Sequence, residues 1–224
     1  MAAAPSRRRF IGGAAAAGAL TAAGLPRAAS AQAAPARTVT YLVPGYRAEI
    51  ASYRGQPAHE APELRADFPR GYEGGVTFAT RLSESDGGVA RALLPVIGHH
   101  IAADPAGRRA WFSGMNAAHS VTFDIAAMRL ERIVAPHAEG FVTGGHAAFT
   151  PDGKYVLAAE RRRFDVPFQN SADRFGRLVV RDAATLSVLA VHDCHGIAPH
   201  DVRLTADGKY AVDRKSTRLN SSHT

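Results

Sequence analysis

Eight of the ten histidines fall between His99 and His200. His99 and His100 open "GHHIAADPAGRRAWF", His146 lies in "GGHAAFTPDGKYVLA", and His200 lies in "PHDVRLTADGKYAV". In each segment the histidine stands ahead of a short apolar run. A turn with aspartate and glycine follows, then a second apolar run. Neutral imidazole is a common metal ligand. If the fold brings these segments together, His100, His146 and His200 are candidate ligands of one ion. A fourth candidate is His195, in "HDCHG", where His192 and His195 flank Cys194, the only cysteine. Thiolate and imidazole together suit copper or zinc. A histidine at the start of a strand can also simply hydrogen-bond a neighbouring backbone. On sequence alone that structural role is the simpler expectation.

Arg161, Arg162 and Arg163 form the other chemically suggestive cluster. Arginine forks bind carboxylate or phosphate well, which makes Arg161 and Arg162 candidate ligand-binding residues. The blander expectation is a solvated loop following a strand, with Asp165 and Asp173 as internal partners. No Gly-x-Ser-x-Gly elbow, phosphate-binding loop or dinucleotide fingerprint occurs, so no catalytic residue is assigned. The Asp-Gly turns lack the dense acidic spacing of a calcium loop. A calcium-dependent lactonase therefore finds no support.

The elements that would position the histidines recur. The turn glycines Gly107, Gly153 and Gly208 are 46 and 55 residues apart, a period typical of propellers and repeat arrays. A second hairpin follows the first in each unit, as in "HSVTFDIAAMRLERIVAP" and "GRLVVRDAATLSVLAVHD". "GGVTFATRLSESDGGVARALLPV", from Gly74, reads as the matching hairpin of an earlier unit. Two hairpins make the four antiparallel strands of one propeller blade. The expected fold is all-β: an irregular first blade over 38–97, then blades over 98–213. Closed propellers usually have four to eight blades, so the sequence reads as an incomplete, truncated propeller.

Both ends read differently from the body. "SRRRFIGGAAAAGALTAAGLPRAASAQA" has the basic, apolar and small-residue regions of an export signal. The pair Arg7 and Arg8 makes it a twin-arginine (Tat) signal, with cleavage expected after Ala33 and a periplasmic destination. The apolar run is too short and too rich in Gly and Ala for a stable membrane span. From Arg214 the sequence turns abruptly polar. "RKSTRLNSSH" resembles a translated sequencing adaptor, so 214–224 reads as a non-native tail. The leader holds Arg7, Arg8, Arg9 and Arg27, and the tail holds Arg214, Lys215 and Arg218. Without these the 27 basic residues match the 20 acidic ones, and the formal charge of +7 disappears. The basic composition is thus no argument for a nucleic-acid partner.

"GGHAAFTPDGKYVLAAE", "GRLVVRDAATLSVLAVHDCHGIAPHDVRLTADGKY" and the Tat signal together resemble a family of Tat-exported periplasmic β-propellers catalogued as domain of unknown function 1513. More distantly, the Pro-His pair in "GIAPHD" is similar to the YVTN-type and WD40-like propeller repeats. The resemblance implies a longer protein in an iron-related setting, with imelysin-like or cytochrome partners. The expected function is a periplasmic binding or scaffold module of metal or redox homeostasis with no catalysis of its own. The alternative is a copper- or iron-binding redox enzyme or electron-transfer subunit using channel histidines. A metal ion is the one cofactor the residues suggest.

Overall fold

A computed structural model describes residues 39–47, 52–53, 56–57, 62–84, 86–165 and 174–215. The chain divides into two units, Met1–Arg37 and Thr38–Thr224. The first, with the expected signal, lies outside the described residues. So do His59, Asp173 and residues 216–224. No helix among the described residues is long and apolar enough to cross a membrane.

The described residues are almost entirely β-structure. Strand β1 (Thr40–Arg47) precedes a short ribbon of β2 (Ser52–Tyr53) and β3 (Gln56–Pro57) and a 3₁₀ turn at Pro62–Arg65. Strands β4 (Thr77–Ser83) and β5 (Val89–Leu94) complete a three-stranded sheet ordered β1-β4-β5. Next come β6 (His100–Ala103), β7 (Arg109–Ser113), β8 (Ser120–Asp124) and β9 (Arg129–Val134), a four-stranded sheet in chain order. A second such sheet holds β10 (Phe141–Phe149), β11 (Tyr155–Arg162), β12 (Arg177–Asp182) and β13 (Val188–Asp193). Strands β14 (Pro199–Leu204) and β15 (Ala211–Lys215) form a hairpin. Every pairing is antiparallel, which is the up-and-down blade of a β-propeller.

Local chemistry sets these hairpins. Gly107, Gly153 and Gly208 close the first turn of their blades at φ of 67°, 70° and 69°. That left-handed backbone suits glycine. In the last two, the aspartate before the glycine accepts from the threonine hydroxyl (Thr150 or Thr205, 2.6 Å) and from the following lysine N–H (3.1 Å). The second turns are capped by Asp124 and Asp182, which accept backbone N–H groups at 2.6 and 2.7 Å.

The blades stack through alternating side chains. Adjacent residues of a strand face opposite sides, so Phe112 packs toward the preceding sheet with Ala79, Leu94, Val121 and Phe123. Its neighbour Trp111 packs toward the next blade with Ala147, Val156, Ala158 and Leu186. Leu157 and Ala159 then meet Val202 and Leu204 of the β14–β15 hairpin. Both faces of β7 and β11 are therefore covered, and their apolar runs are nearly continuous rather than alternating. Arginines tie the turn ends together. Arg81 donates to the carbonyls of Ile125 and Ala126 at 2.8 and 2.7 Å, and Arg109 donates to Ala183 at 2.6 Å.

The β4–β5 hairpin corresponds to the second hairpin of the later blades, as the sequence suggests. Among the described residues this sheet has no innermost strand. Arg214 and Lys215, assigned to the tail from sequence, are the last residues of β15, where Arg214 pairs with Asp201.

Candidate metal centre

The histidine cluster forms at the end of the blades opposite the Asp-Gly turns. His100 begins β6 opposite Ser113, and His99 donates its backbone N–H to the Ser113 carbonyl at 2.9 Å. His146 projects from a bulge in β10, where pairing with β11 is interrupted between Thr143 and Ala147. The bulge has a local cause. The Gly114–Ala117 segment of the preceding blade bonds to Thr143, which donates to the Gly114 carbonyl at 2.6 Å. Ser113 meanwhile donates to the Gly145 carbonyl at 2.7 Å. His200 is the second residue of β14.

The four rings meet. His100 stacks on His146 at 4.0 Å, and His146 lies 4.7 Å from His200. His99 is 5.4 Å from both His146 and His200. One ring nitrogen from each of His99, His146 and His200 lies within 4.8 Å of the other two. Ligand nitrogens about 2.1 Å from a tetrahedral ion stand about 3.4 Å apart, so a shared ion needs the widest gap between these nitrogens to close by about 1.4 Å. His146 Nδ1 is 3.1 Å from the Asp201 carboxylate, and His200 Nδ1 is 3.1 Å from the Gly144 carbonyl. His100, His146 and Asp201 also line an open groove of about 580 Å³.

Strand register corrects the equivalence drawn from sequence. His100, His146 and Asp201 each stand seven residues before their turn glycine and are true counterparts. His99, Gly145 and His200 stand eight before and form a second set. Asp201 was therefore missed as a member of the site, although counting back from Gly208 finds it. Gly145 makes room for the cluster, because a Cβ there would lie 2.5 Å from His200 Nδ1.

The other candidates lie apart. His195 is exposed, has φ of 49° and sits beside Phe175, with ring centroids 6.2 Å apart. Arg161 and Arg162 are the final residues of β11 rather than part of a solvated loop, because the pairing with β10 runs through Phe141↔Arg162. Arg161 is buried, with its guanidinium 4.8 Å from the Phe164 ring. Only Arg163 behaves as the solvated member, paired to Asp165 at 2.5 Å. A buried cluster also passed unnoticed in the sequence. Glu160, 3% exposed, accepts from His137 Nδ1 at 2.6 Å and from Arg181 at 3.1 Å.

Loss of hydration favours the neutral form of three of the cluster's imidazoles, His99, His100 and His146. It pushes His100 down to about 4, assisted by His146. Burial and the nearby His200 lower His99 and His146, the latter against the pull of Asp201. Between those values and the ordinary 6.5, the unfolded chain binds more protons than the folded one. Stability then rises with pH. The contribution is fully present above pH 6.5 and is lost as pH falls toward 4. In metal-free protein the urea midpoint should fall between pH 7 and pH 4.5, and His100→Gln should flatten that dependence. A midpoint that rises on acidification would show the cluster to be charged when folded.

Stacked four-stranded antiparallel blades define a β-propeller protein. The family described as Protein of unknown function (DUF1513) matches residues 92–213, over half of the chain, and the chain belongs to that family. Among solved structures the chain is similar to hydrazine synthase of Kuenenia stuttgartiensis, at 14% identity and a TM-score of 0.48, covering 61% of this chain and 45% of that one. It is also similar to a putative 6-phosphogluconolactonase from Bacteroides uniformis, at 16% identity and a TM-score of 0.41, covering 62% and 43%. A third is the dihydro-heme d1 dehydrogenase NirN, at 19% identity and a TM-score of 0.40, covering 53% and 25%. The chain thus spans less than half the length of each. No curated protein matches it.

Proposed function

We propose that this chain belongs to an exported, periplasmic propeller that serves metal or redox homeostasis as a binding module, holding a metal ion between blades. One observation carries the reading: three blades deliver His99, His146 and His200 to one point, with ring nitrogens within 4.8 Å. A purely structural histidine needs only a backbone partner. His99 and His146 instead face other imidazoles, and the cluster leaves His100 Nδ1 buried without a partner. Three imidazoles leave coordination positions for an exogenous ligand, which keeps the redox-enzyme alternative in view. Nothing in the cluster supplies a nucleophile paired with a base.

The test is metal content of the full-length protein recovered from the periplasm. A stoichiometric ion is expected, lost in His146→Ala while the fold persists by circular dichroism. Retained metal with lowered stability would return these histidines to a structural role.

Export rests on Arg7 and Arg8 ahead of Phe10 and the Ala/Gly segment. Changing both arginines to lysine should leave uncleaved precursor in the cytoplasm. Unchanged export of that variant rules out the twin-arginine route.

A further inference from the structure

We infer that the histidine cluster is built for a late divalent first-row ion, copper(II) or zinc(II), bound through Nε2 of His146 and His200, with Asp201 and the Gly144 carbonyl as the positioning groups. The inference rests on the metal-binding reading above and adds the ion class and the ligating atoms.

The tautomers follow from the partners. A carbonyl oxygen only accepts, so His200 Nδ1, 3.1 Å from the Gly144 oxygen, carries the proton and donates it. The lone pair of neutral His200 is then on Nε2. His146 Nδ1 faces the Asp201 carboxylate at 3.1 Å, which fixes the same tautomer. A ring nitrogen donated to a carboxylate or carbonyl orients the imidazole and raises the basicity of the nitrogen left to bind. His100 lies flat against His146, with planes 12° apart, and limits its rotation. Gly145, by lacking a Cβ, leaves the space that Nδ1 of His200 occupies.

The donor set selects the ion. Three imidazoles suit copper and zinc, whereas calcium, manganese and ferric iron favour carboxylate, carbonyl and water oxygens. Asp201, the carboxylate that touches the cluster, is already engaged. It faces His146 and accepts from Arg203 at 3.2 Å. No thiolate is present in the cluster, since Cys194 lies in the segment beside Gly176.

The experiment is equilibrium titration of the metal-free, full-length protein with copper(II), zinc(II), iron(III) and calcium(II), each alone. Copper and zinc should bind one to one, at least 100-fold more tightly than calcium. The copper spectrum in electron paramagnetic resonance should show nitrogen hyperfine structure. Asp201→Asn is expected to weaken copper binding by about 10–100-fold and to alter that spectrum. Gly145→Ala should weaken it without replacing a ligand, because the added Cβ would displace the His200 ring. If Gly145→Ala fails to fold, Asp201→Asn and His200→Ala carry the test. The double change His192→Ala and His195→Ala should leave binding intact.

Preference for iron(III) or calcium overturns the ion class and leaves the metal-binding reading standing. Binding of none of the four overturns that reading itself. Copper held equally well by Asp201→Asn, with an unchanged spectrum, removes Asp201 from its positioning role. Copper lost only with His192 and His195 moves the site to the Cys194 segment and overturns the proposal.

Discussion

Replacing Glu160 with alanine is expected to cost about 3–5 kcal/mol of stability, the usual penalty for leaving a buried charge without its partner. Glu160 is 3% exposed and Arg181 is 5% exposed, so water cannot substitute for the lost carboxylate. The same carboxylate accepts from the His137 backbone N–H at 2.9 Å and from His137 Nδ1 at 2.6 Å. Arg181 also donates to the Ala135 carbonyl at 2.8 Å. Ala135 and His137 belong to the connection from β9 to β10, so the cluster pins the crossing between two blades. Removing both charges as Glu160→Met with Arg181→Met should recover much of the loss, because a buried pair often contributes little over apolar groups of similar volume. Chemical denaturation of Glu160→Met, Arg181→Met and the double variant gives the coupling directly. Additive losses would show that the two side chains act independently.

Phe112→Ala is the second large effect, also about 3–5 kcal/mol. Phe112 is fully buried between the β1-β4-β5 sheet and the next blade, against Ala79, Leu94, Val121 and Phe123. The sheets are joined by turns and cannot collapse freely onto the void. The ring also lies under Gly98, where a Cβ would come within 2.5 Å of it. Loss of the ring therefore loosens the backbone that carries His99, and metal affinity should fall together with stability. Tyr210→Ala, at a residue 68% exposed, is the contrasting case and should change stability by no more than about 0.5 kcal/mol. Similar losses for both would mean that burial between blades is not the main source of cohesion.

The blade pattern was legible because turn chemistry and strand period are local. The sequence "TPDGKY" fixes a hairpin by itself, and the same turn at Gly107, Gly153 and Gly208 exposes the repeat. The histidines were legible as a set for the same reason. Their order within the set was not, since a shift of one residue moves a side chain to the other face of the strand. That shift separates His200 from Asp201, and it decides which of them is the counterpart of His146. The Glu160–Arg181 pair was invisible because its members come from different strands, and each alone looks like an ordinary charged residue. Arg161 misled for a related reason. A run of three arginines reads as solvated, yet the pairing of β10 with β11 carries two of them into the sheet.

The candidate ligand set His99, His146 and His200 draws one histidine from each of three blades, and His99 and His200 are about a hundred positions apart along the chain. No single blade, folded alone, can present this arrangement. An ion shared by the three rings would thus act as a clasp that closes only after neighbouring blades have docked. The same ion would strengthen that docking, by about 2.7 kcal/mol at a free concentration one hundred times its dissociation constant. With such an ion bound, loading and assembly would become one thermodynamic event, and the metal supply would set how firmly this part of the array holds together.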